Sequence, residues 1–167
     1  MKQYEYSSEV ISVTATSQSE TKDCSVRAFA TALRCSYDAA HTYVKEKFNR
    51  EHRKGVYGMQ DRLVSLSEET QECDGIRFDL NPIEDIKLKN IYKVHGELIE
   101  RRKTVKSFIE SFPAGTYLVL VSRHVFTVCD GIIIDNRGEE FRPTRRVESA
   151  CEVVVHPTAI QEELSFS

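Results

Sequence analysis

The chain has 167 residues, of which 40% are hydrophobic and 29% charged, with a formal charge of -3. That length suits one domain able to bury about two-thirds of its unfolded surface without staples. The balance excludes a disordered or membrane-spanning chain and is not that of a strongly basic nucleic-acid binder. The N-terminal MKQYEYSSEV is polar and lacks the apolar centre of a signal peptide, so the expected location is the cytoplasm. Five cysteines, at 24, 35, 73, 129 and 151, are odd in number and form no CxxC pair. Reduced thiols are therefore expected, with no disulfide framework, metal site or cofactor.

No repeat, low-complexity tract or linker divides the chain, so a single domain over 1–167 is expected, with 1–17 as an extension or edge strand. In QSETKDCSVRAFATALRC, residues 18–35, Cys24 has apolar or small neighbours at Ala28, Thr31, Ala32 and Cys35. This is helical spacing with a cysteine in the first turn. Ser36 is placed to cap SYDAAHTYVKEKFNREHR, whose apolar stripe is Ala39, Ala40, Tyr43, Val44 and Phe48 and which Gly55 ends. A third helix is expected in GMQDRLVSLSEET.

Asp74-Gly75 and Asn81-Pro82 punctuate a middle region whose elements the pattern does not define. Thr104 is placed to cap a short helix, VKSFIESF, that Pro113 stops. Strands are then expected at TYLVLVS, HVFTVC, IIIDN and CEVVVH, with Asp130-Gly131 between β-branched runs as a strong hairpin signal. Helices first and an antiparallel sheet afterwards give an α+β fold.

A two-residue turn at Asp130-Gly131 pairs positions whose numbers sum to 261, so 129 faces 132 and 126 faces 135. His124, Phe126 and Asp135 then share one face, with Asp135 diagonal to His124 and within side-chain reach, while Asn136 falls on the other face. A three-residue loop would exchange Asp135 and Asn136. A histidine held by a carboxylate takes a proton from a thiol, and a cysteine at a helix N-terminus gains thiolate character from the helix dipole and from His⁺. The Cys24 backbone N–H and the Gln18 side-chain amide are the candidate donors to an oxyanion.

Gln18, Asp23-Cys24 opening a helix, His124 starting a strand and Asp135 ending the next resemble the papain-like cysteine peptidase superfamily. The six-residue Gln-to-Cys spacing and the Asp-Cys pair resemble peptidases that process bacteriocin leaders. The strings DCSVRAFATAL, SYDAAHTYVKE, HRKGVYG and GTYLVLVSRHVFTVCDGIIIDN look closer to small standalone papain-like proteins of bacteriophages and mobile elements, over most of 18–136.

The resemblance implies a papain-like fold, Cys24 as nucleophile, His124 as general base and then acid, Asp135 as the residue orienting it, and Gln18 in the oxyanion hole. Asn136 is the alternative third member, since papain itself uses an asparagine. Ser25 stands where the peptidase branches usually have glycine, and papain's aromatic two residues after the cysteine is missing, so its substrate groove does not transfer.

Cys35, Cys73, Cys129 and Cys151 are read as core cysteines. His41, His52, His95 and His156 show no metal-ligand spacing. Arg27 reads as a solvated helix arginine, and KEKFNREHRK and RPTRR as basic faces able to dock an anionic partner. The expected chemistry is thiol acyl transfer onto a peptide, isopeptide or amide carbonyl, with deamidase and transglutaminase activity open to the same groups. The expected partner is a protein or peptide substrate, a host protein in host cytoplasm if the chain is phage-encoded, and not a membrane. A catalytically silent papain-like module that binds a host or phage protein is the alternative, and nucleic-acid binding is the least favoured.

Overall fold

A computed structural model describes residues 6–7, 23–48, 58–135 and 142–157. The described elements are β1 (Tyr6–Ser7), α1 (Cys24–Leu33), α2 (Tyr37–Lys47), α3 (Met59–Leu66), β2 (Gln71–Cys73) and β3 (Ile76–Pro82). A 3-10 turn (Asp85–Leu88) leads into β4 (Lys89–Val94) and β5 (Glu97–Arg102). After these come α4 (Val105–Ser111), β6 (Thr116–Val121), β7 (His124–Cys129), β8 (Ile132–Ile134) and β9 (Ser149–Val155). The fold is α+β: four helices pack on a seven-stranded sheet of order β1-β8-β7-β6-β9-β3-β2. Every pairing in that sheet is antiparallel except β1 with β8 at the edge.

The sheet is covered on both faces, which is why TYLVLV is a continuous apolar run and not an alternating one. Leu118, Val125, Leu80, Phe78 and Val153 pack with Val26, Phe29, Tyr43 and Leu63 on the side of α1, α2 and α3. Val119, Val121, Phe126, Val128 and Ile133 pack with Val105, Phe108 and Ile109 of α4 on the other side.

Local signals set the element ends. Ser36 Oγ accepts from the Ala39 N–H at 3.1 Å and Thr104 Oγ1 from the Ser107 N–H at 3.1 Å, capping α2 and α4. α2 stops at Lys47, short of Gly55, because Phe48 leaves helical geometry to bury its ring 5.4 Å from Phe29. Gly55 itself lies outside the described residues.

The undefined middle region holds two hairpins. Asp74-Gly75 joins β2 to β3, and His95-Gly96 joins β4 to β5, each pair with positive φ. β4 and β5 form a separate two-stranded ribbon. Its base is held by Arg102, which donates to the carbonyls of Val147 and Glu148 and to Asp85.

Candidate active site

Three elements converge on one histidine. α1 begins at Cys24, with Asp23 in the N-cap position. β7 begins at His124, directly after the two-residue turn Ser122-Arg123 that follows β6. Asp135 directly follows β8. The hairpin turns at Asp130 and Gly131 with φ of 48° and 80°, and its register pairs Cys129 with Ile132 and Thr127 with Ile134. That is the two-residue register expected from the sequence, and it puts Asp135 diagonal to His124.

His124 Nε2 lies 2.8 Å from Asp135 Oδ2, with the two side chains 4% and 3% exposed. The ring stacks on Phe126 with centroids 6.0 Å apart. Nδ1 is thus the ring nitrogen left for Cys24, which also hydrogen-bonds to the imidazole. Burial pushes the His124 ionisation down, but the hydrogen bonds and charges of Asp135 and Cys24 outweigh it and raise it to about 9. Burial likewise pushes the Cys24 thiol up. The hydrogen bond to His124, the backbone N–H of Val125, the imidazolium charge and the Ser25 N–H together hold it below its ordinary value. Opposite shifts on two touching groups favour a thiolate–imidazolium pair.

The helix that carries the thiol is anchored to the strand that carries the base. Thr127 Oγ1 donates to the Ala28 carbonyl at 2.6 Å in the interior, joining β7 to α1. Sequence reading missed this contact, since a threonine in a strand carries no sign of its partner.

Arg27 is not merely solvated. Its Nε donates to Asp23 Oδ2 at 2.8 Å, the same oxygen accepts from the Tyr37 hydroxyl at 2.9 Å, and the guanidinium lies 5.6 Å from the Tyr37 ring centroid. The Asp-to-Arg spacing of four was the available signal. In RPTRR, Arg145 Nη2 donates to the Ser122 carbonyl in the turn that launches His124, and Arg146 Nη1 donates to the Arg102 carbonyl at 2.8 Å. These two arginines tie loops down.

Gln18 and Asn136 lie outside the described residues. Cys73 and Cys151 are buried, and burial pushes the Cys151 thiol up to about 12. Cys35 is half-buried and hydrogen-bonded to Cys73, which holds it below its ordinary value. Among the described residues no three His, Cys, Asp or Glu side chains gather to hold a metal ion, and no helix is long and apolar enough to cross a membrane. Comparison with family models, with curated proteins and with solved structures finds no match.

Proposed function

We propose that this chain is a papain-like thiol hydrolase that cleaves a peptide, isopeptide or amide bond through Cys24, His124 and Asp135. The observation that carries the reading is His124 hydrogen-bonded on one side to Asp135 and on the other to Cys24, with the two ionisations shifted toward the ion pair.

The Cys24 thiolate attacks the carbonyl carbon, and the negative charge moves to the carbonyl oxygen. The Cys24 backbone N–H and, as the resemblance implies, the Gln18 amide donate to that oxyanion. The His124 imidazolium gives its proton to the leaving nitrogen as the C–N bond breaks, leaving a thioester and neutral imidazole. Water then attacks the thioester as His124 takes its proton, the C–S bond breaks, and the acid departs with the thiolate–imidazolium pair restored. Asp135 holds the ring and stabilises its charge. A protein or peptide in the cytoplasm is the proposed substrate.

The test is the pH dependence of iodoacetamide labelling on native protein, resolved by peptide mapping. Cys24 is expected to label with an inflection well below ~8.5, and His124→Ala to move that inflection upward. Cys35 is a built-in control, because its thiol is also lowered but by Cys73, so His124→Ala leaves it in place. An ordinary titration at Cys24 overturns the hydrolase reading and leaves the binding-module alternative.

A further inference from the structure

The ribbon of β4 and β5 is separate from the main sheet and is solvated on both faces. One face carries Ile91, 58% exposed, and Leu98, 75% exposed; the other carries Tyr92, Val94 and the half-buried Ile99. A lone two-stranded ribbon is marginal in water, and its outer edges present unpaired N–H and C=O groups that template another strand. The hairpin settles which groups those are. Its two-residue turn closes on the pair Val94 and Glu97, and the Lys103 N–H donates to the Leu88 carbonyl, so Glu97, Ile99 and Arg101 turn their backbone groups toward β4. Leu98, Glu100 and Arg102 turn theirs outward. Arg146 already donates to the Arg102 carbonyl, while no described residue bonds to the backbone of Leu98 or Glu100 at that edge.

The two edges differ in charge. β4 turns Lys89, Ile91 and Lys93 outward and contains no acid, so no pairing of this strand with itself joins opposite charges. Lysines of this kind are how natural edges resist pairing. β5 reads ELIERR and is self-complementary. An antiparallel pairing of β5 with β5 of a second copy must set outward-turned residues opposite one another. With Leu98 opposite Glu100 of the second copy, Ile99 faces Ile99 and Glu97 faces Arg101 on both sides of the two-fold axis. Those are non-hydrogen-bonded pairs, with Cα atoms about 4.5 Å apart and side chains in close reach. Glu97 and Arg101 are exposed and form no ion pair with a described residue, so both are free to meet across the edge. Sliding the register by two residues toward the ribbon base sets Glu100 against Glu100, and a second slide sets Arg101 against Arg101. A slide toward the turn loses every pair of opposite charge. In the complementary register Tyr92 and Ile99 of one copy continue into Ile99 and Tyr92 of the other, one apolar row across four strands.

We propose that β5 pairs antiparallel with β5 of a second copy of this chain in that register, joining the two ribbons into one four-stranded sheet. The inference is independent of the chemistry at Cys24.

Sedimentation of the full chain across about 1 to 300 µM tests it. One strand edge is small against the ~800 Å² per partner of a standard interface, so a concentration-dependent monomer–dimer equilibrium is expected. Glu97→Arg sets arginine against arginine on both sides of the axis, and Arg101→Glu sets glutamate against glutamate. Each is expected to weaken the dimer by about tenfold or more, with the unfolding midpoint checking the fold. The two variants are complementary to each other, so mixing them is expected to restore a dimer of wild-type strength. Hydrogen exchange reads the edge directly: the Leu98 and Glu100 amides are expected to gain protection as the dimer fraction rises. A monomer at every concentration overturns the self-pairing and leaves the edge to a different polypeptide. A dimer that both single variants leave intact uses another surface and overturns it as well. Variants that dissociate singly but fail to recombine when mixed overturn the register.

Discussion

Arg27 Nε donates to Asp23 Oδ2 at 2.8 Å, so the residue immediately before Cys24 is a carboxylate held by a guanidinium one helical turn further on. Asp23 is only 3% exposed, occupies the N-cap position and caps nothing with its side chain. An aspartate there ordinarily caps the helix with its own carboxylate. Arg27 and Tyr37 turn it away and offset its charge, which would otherwise oppose a thiolate one residue on.

Arg27→Gln is therefore expected to raise the Cys24 inflection in iodoacetamide labelling and slow labelling at neutral pH several-fold. Asp23→Asn in the same chain removes the uncompensated charge and is expected to bring the inflection back down. A double variant that labels no faster than Arg27→Gln alone would mean that the ion pair acts only through the fold.

Asp135→Asn keeps the shape of the contact to His124 but removes its charge. The expected His124 ionisation falls from about 9 toward the ordinary 6.5, since burial now acts with less opposition. The sign for stability follows from the raised folded value. Protonated His124 stabilises the native chain fully below ~6.5, and that contribution is lost as pH rises through about 9. Wild type should thus exceed Asp135→Asn in stability at pH 6 by more than it does at pH 10. Urea unfolding at the two pH values, with an NMR titration of the His124 ring, measures both.

The elements legible in the sequence were those whose signals are local. Ser36, Thr104 and the Asp130-Gly131 turn each act within a few residues, and the register of the last follows from loop length alone. That loop length alone puts His124 and Asp135 on one face of the sheet. The ribbon of β4 and β5 was not legible, because Ile91, Tyr92, Val94 and Leu98 are exposed and leave no alternation of buried and solvated positions. Nor was the Asp23, Arg27 and Tyr37 cluster, which depends on how α1 meets α2, or the pairing of β3 with β9, whose partners Pro82 and Cys151 lie 69 residues apart in the chain.

Thr127→Val tests the tie between α1 and β7. The substitution conserves side-chain shape but removes the donor to the Ala28 carbonyl. A loss of about 1 kcal/mol of stability is expected, the typical net value of one intramolecular hydrogen bond. The loosened helix is also expected to slow Cys24 labelling relative to Cys35. An unchanged Cys24-to-Cys35 ratio alongside the stability loss would show that Thr127 supports the core and not the placement of the thiol.

The last prediction uses the register itself. Inserting one glycine after Gly131 converts the two-residue turn to three, and the flanking pairs Cys129 with Ile132 and Thr127 with Ile134 can then be kept only by looping the extra residue out. If the extra residue enters the ladder instead, every side chain of β8 changes face, Ile133 leaves its apolar cluster and Asp135 leaves His124. Burying Ile133 opposes that slip, so the looped-out form is expected, with His124 still titrating near 9 and stability lowered by about 1 kcal/mol. A His124 titration that falls to 6.5 or below in the insertion variant, with the chain still folded, would show that the strand slipped and that the short turn alone holds Asp135 against its partner.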